Sequence, residues 1–296
     1  MACEGADWIN MQSNDPTLLT KESDASLFRL ASQLQQAGNL EKAVAIYQVI
    51  VGRTPQHGLA YCNMAAAFAA QNRYHDAVEA LRTAVRVDPT NVDAYFGLAN
   101  CHTASGNLAE AIGAYKSAIA LKPDFDEAHF RLGSLLSETG HVAEGFSHYL
   151  QRAKLVHGTR ATLPTDQAQP PHRVKHDREQ REYLKLRYGH TTPFHLENGE
   201  RLTSPAVNPE NATAAVLDSW KTSDPQFVVI DNFLMPEALE KLRFYCAGST
   251  IWRRNYNAGY IGATPEDGLA CPLMAQIAEE ISATYPEILA PIPSAI

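Results

Sequence analysis

Between residues 24 and 157, small and large apolar residues recur in a fixed order, separated by polar positions, with one period throughout. Ala31, Ala65, Ala99 and Gly133 stand 34 residues apart, and so do Ala43, Ala77, Ala111 and Gly145. Each period contains two apolar stretches with the i, i+3, i+4 spacing of a helix face. Leu30, Met64, Leu98 and Leu132 stand beside the first set of small residues, joined by Leu34, Phe68 and Leu136. Tyr47, Leu81, Tyr115 and Tyr149 mark the second stretches. The pattern predicts eight antiparallel helices, with second helices beginning near Leu40, Tyr74, Leu108 and Val142. A small residue where two helices cross lets their backbones approach, and the large ones fill the space around the crossing.

The punctuation keeps the same period. Gly38, Gly106 and Gly140 suit the left-handed residue that ends a first helix, and Asn72, the usual substitute, takes that place in the second period. Pro55, Pro89 and Pro123 stop the second helices. The fourth period departs, with Gly145 for Ala, Arg152 where Ala84 and Ala118 stand, and His157 for proline, as expected of a terminal unit. His102, in an otherwise apolar column, reads as a partly buried structural histidine.

A 34-residue period of helix, Gly or Asn turn, second helix and terminal proline resembles the tetratricopeptide (TPR) repeat. The expected fold class is mainly α, an α-solenoid of four TPR helix pairs (24–157) followed by a small, incomplete α+β region. Residues 1–23 would be an N-terminal tail. The resemblance implies that first helices line a concave groove, which here carries Phe28, Arg29, Cys62, Asn63, Phe96, Asn100, Phe130 and Arg131. These are the expected protein-binding residues, and the expected partner is a polypeptide held mainly through Phe96, Phe130 and Arg131. The lysines of a clamp for chaperone C-termini are missing. The asparagine ladder of the O-GlcNAc transferase solenoid would need Asn at a place that only Asn63 supplies.

Residues 158–172, rich in Thr, Gln and Pro, read as a linker. The span 173–224 reads as a capping or bridging helix over 173–188, with an irregular segment and a short helix near Ala212 to Trp220. That first helix carries six Lys or Arg against three acids, which a solvated face explains. In 225–296, Phe227–Asp231 reads as a buried strand and Pro236 opens a helix with Leu239, Leu242 and Cys246 in helical spacing. A later helix carries Leu273, Ile277 and Ile281. Glu279 and Glu280 read as a solvated helix face.

The order around Ile230-Asp231-Asn232-Phe233-Leu234 resembles the opening of the prolyl 4-hydroxylase-like iron and 2-oxoglutarate dioxygenases. That family implies an iron site of two histidines and a carboxylate. Every histidine of this chain lies at or before His195, so the two metal ligands are absent from the region of resemblance. His195-Leu196-Glu197 imitates the spacing but precedes the first strand. The 70 residues from Phe227 to Ile296 are also short for an eight-stranded jelly roll. No catalytic residue, cofactor or metal is therefore expected. Two readings stay open: an interaction module with a non-catalytic C-terminal piece, or the front part of a TPR-linked protein hydroxylase.

Charge and cysteines narrow the partners. A formal net charge of -8 offers no chain-wide attraction to nucleic acid or anionic membrane. No apolar stretch approaches the ~20 residues that span a bilayer, and the acidic start lacks the features of an export signal. Five cysteines without CxxC spacing suit reduced thiols, so a cytoplasmic location is expected.

Overall fold

The computed structural model describes residues 22–157, 170–190, 199–223, 229–249, 254–255, 261–265, 268–286 and 288. The chain divides into two compact units, Met1–Pro123 and Asp124–Ile296. The division falls before the fourth repeat.

The first unit contains three helix pairs, α1 (Asp24–Gln36) with α2 (Leu40–Arg53), α3 (Gly58–Ala70) with α4 (Tyr74–Val87), and α5 (Val92–Ala104) with α6 (Leu108–Leu121). Each pair packs together, and α2 meets α3 as α4 meets α5. The first helices also neighbour one another, α1 with α3 and α3 with α5. Gly38, Asn72 and Gly106 occupy the left-handed region at φ 79°, 59° and 76°. Side chains of Ser23, His57 and Asn91 accept from backbone amides at the first-helix N-termini. At the crossings, Ala31, Ala43, Ala77, Ala99 and Ala111 are fully buried. Leu30 and Leu34 are only partly covered.

The second unit begins with the fourth pair, α7 (Asp126–Glu138) and α8 (Val142–His157). Gly133 and Gly145 face each other there, and a Cβ on Gly145 would come within 2.7 Å of the Gly133 carbonyl. The backbones thus approach more closely than an Ala pair allows. There follow α9 (Pro171–Tyr188), α10 (Ala214–Thr222), α11 (Pro236–Gly248) and α12 (Pro272–Thr284), making twelve α-helices among the described residues. Helix α9 lies antiparallel to α11, with Gln180 Nε2 donating to the Ser249 carbonyl (2.9 Å) and Arg187 pairing with Glu240 (3.1 Å). Helix α12 covers α8.

The α+β reading of 225–296 is corrected: this region is mainly helical. Its described strand content is one antiparallel ladder two residues long, Arg254–Asn255 (β1) against Ile261–Gly262 (β2), with an isolated bridge between Val207 and Leu234. Phe227 and Val228 lie outside the described residues, as does His195. Val229, Ile230 and Asp231 form no strand, and Val229 is 78% exposed. A short apolar run does not by itself fix a strand, and Asn232 turns the chain with φ 51°. On α11 the buried side chains are Ala238 and Tyr245, while Leu239 stays exposed.

Candidate protein-binding face of the repeats

The first helices of the first unit carry six of the eight expected site residues. Phe28 on α1 is half-buried, edge-on to Tyr47 of α2 at 5.7 Å and stacked on His57 at 5.5 Å. Phe96 on α5 meets Tyr115 of α6 edge-on at 5.8 Å. Both rings keep a partly exposed surface, and the buried tyrosine fixes their orientation.

The tyrosine hydroxyls organise the polar groups. Tyr47 Oη donates to Gln35 Oε1 (3.1 Å), accepts from Asn63 Nδ2 (3.3 Å) and lies 3.1 Å from Ser32 Oγ. A phenol has one proton, so with that proton on Gln35 the serine hydroxyl is the donor. Phe28 and Asn63, from different repeats, thus share one anchor. Tyr115 Oη donates to Asn100 Oδ1 at 2.6 Å, so Phe96 and Asn100 share the next. Each carboxamide is held by one atom and keeps others for a ligand.

Cys62 stands between these two clusters, half-buried on α3, with Asn91 Nδ2 3.9 Å from its sulfur. Burial first, then the carboxylates of Asp93 and Asp88, push its thiol up to about 11. The thiol is therefore protonated near neutrality. Arg29 is exposed on α1.

Phe130 and Arg131 belong to the second unit. Phe130 lies 6.1 Å from Tyr149, with the Arg152 guanidinium 5.0 Å from its ring centre. Arg131 is paired with Glu127 at 2.8 Å on its own helix, so part of its charge is already answered.

The sequence reasoning missed the tyrosines as site residues, although the signal was present. A phenylalanine stands 19 residues before a tyrosine in the first, third and fourth repeats, whereas the second has Cys62 before Leu81. Both partners shrink together, as expected of side chains that pack on each other.

A tetratricopeptide-repeat family model matches residues 62–124 and 106–155, and a second matches 25–57. These are tetratricopeptide repeats. Among solved structures, the chain is similar to MamA from Desulfovibrio magneticus RS-1, 21% identical with TM-score 0.43, covering 46% of this chain and 76% of that one. It is similar to YrrB, a TPR protein with an unusual peptide-binding site, at 21% identity and TM-score 0.42, covering 46% and 70%. A third is the first TPR of Spaghetti (RPAP3) bound to the HSP90 peptide SRMEEVD, at 20% identity and TM-score 0.39, covering 40% and 93%. No curated protein matches the chain. No described helix is long and apolar enough to cross a membrane.

Proposed function

We propose that this chain is a protein-interaction module that holds a polypeptide segment on the concave face formed by α1, α3 and α5. The observation that carries the reading is the pair of tyrosine-anchored clusters, Phe28 with Asn63 and Phe96 with Asn100. Each combines a partly exposed aromatic ring with a fixed carboxamide. A peptide offers side chains for the first and main-chain amides for the second, and prior fixation lowers the entropy lost on binding. Arg29 and Cys62 border the same face, and Phe130 and Arg131, on α7 of the second unit, are proposed as binding residues in their own right.

Residues 225–296 are, in this reading, a non-catalytic appendage. The absence of any histidine after His195 supports it. The same reading places the chain in a reducing, cytoplasmic setting.

The test is capture of partners by the full chain and by a Phe28→Ala, Phe96→Ala double variant. Loss of the captured partners with unchanged helical content is the expected result. The same partners at the same yield would remove the concave face from consideration.

A further inference from the structure

The basic excess of α9 divides into two sets. Arg173 is buried against Asp177 (3.0 Å), Lys175 pairs with Glu179 (3.8 Å) and Arg187 with Glu240 (3.1 Å). Arg178, Arg181 and Lys185 are exposed, and among the described residues no carboxylate stands within ion-pair distance of any of them. Their spacing of three and four residues puts them on one stripe together with Val174, which is 56% exposed. Like charges so spaced repel and weaken the helix that carries them. The buried side of α9, with Arg173 and Leu184, lies next to this stripe and leaves it uncovered.

We propose that the stripe docks a short acidic segment of a partner polypeptide. Two guanidiniums and an ammonium accept carboxylates, the guanidiniums in two-pronged fashion, and Val174 offers an apolar contact at one end. From Val174 to Lys185 the helix rises about 17 Å, the reach of about five extended residues. The chain as a whole is acidic, at -8, so a long polyanion laid across it meets repulsion beyond the stripe. A short acidic segment does not, because at physiological salt charges farther than about 8 Å away are screened. The stripe belongs to the second unit, and the proposal does not depend on the reading of the first three repeats.

The experiment follows the fluorescence anisotropy of a labelled glutamate-rich octapeptide titrated with the full chain. Binding that weakens steeply between about 50 and 300 mM salt is expected. The Arg178→Glu, Arg181→Glu, Lys185→Glu triple variant loses about tenfold or more in affinity. Lys42→Glu, an exposed charge on α2, leaves it unchanged, as does the Phe28→Ala, Phe96→Ala pair. Single Gln substitutions at the three positions give graded losses and keep the test valid if the triple variant does not fold. Equal affinity of parent and Gln variants overturns the proposal. So does binding of a short RNA or of phosphatidylserine vesicles in place of the peptide.

Discussion

The three repeats of the first unit and the segment after the fourth repeat solve one problem in opposite ways. In the repeats almost every buried backbone group bonds within its own helix, and tertiary contact is apolar and repeated in each period. In residues 199–288 stretches of non-helical backbone are partly buried, and single side chains of α12 satisfy them. Gln276, 3% exposed, accepts from Leu202 N (2.7 Å) and donates to the Ser204 carbonyl (2.9 Å). Glu280 accepts from the amides of Ala206 and Val207, both at 2.7 Å, and Glu279 pairs with Arg201 at 2.6 Å. Glu280, expected to lie on a solvated face, is structural, whereas Glu279 stays on the surface in an exposed ion pair. Tyr245 donates to the Gly268 carbonyl, and a Cβ on Gly199 would collide with Cys271. A repeat spreads its stability over many equivalent contacts. The C-terminal segment concentrates it in a few that have no substitute.

If the contrast is right, Gln276→Ala has the largest effect. It orphans a partly buried amide and a partly buried carbonyl and should cost about 2–3 kcal/mol. Chemical denaturation checks this, and an unchanged midpoint would show that the 202–204 backbone finds other partners. In the repeats, Ala77→Leu overpacks a crossing and should cost about 1–3 kcal/mol, its lower values reflecting adjustment shared with adjacent repeats. Tyr47→Phe removes only the hydroxyl that holds Gln35 and Asn63, for about 1 kcal/mol. Partner capture should weaken in that variant while its melting temperature shifts only slightly.

The smallest effect is acid sensitivity confined to the C-terminal segment. Burial raises the Glu280 pKa, but the amide of Val207, the Gln276 side chain and the amide of Ala206 outweigh it, so the folded value lies below the usual 4.5. A carboxylate lowered by folding stabilises fully above its unfolded pKa, and that contribution disappears as pH falls through the folded value. Exchange protection of the Ala206 and Val207 amides should therefore hold near neutrality and fall below about pH 4. Glu280→Gln should abolish that dependence. Equal acid loss of protection throughout α1–α6 would erase the distinction between the regions.

The repeat region was legible because its period recurs. The second helices begin at Leu40, Tyr74, Leu108 and Val142 as expected, and the turn residues adopt the predicted left-handed conformation. The buried His102 was also legible, from its place in an apolar column. The candidate site was only half legible. Phe28 and Phe96 could be placed by register, but the orientation of Asn63 toward Tyr47 depends on a contact between repeats.

By itself, then, the sequence determined the helix pairs, their boundaries and the residues on each first helix, because local hydrophobic spacing and turn chemistry suffice for all three. The tertiary structure alone decided that α12 covers α8, that the stretch from Val229 to Asp231 is no strand, and that Gln276 and Glu280 hold a loop more than seventy residues away. Those outcomes rest on single long-range hydrogen bonds and on which surfaces meet, and a contact made once leaves no period along the chain.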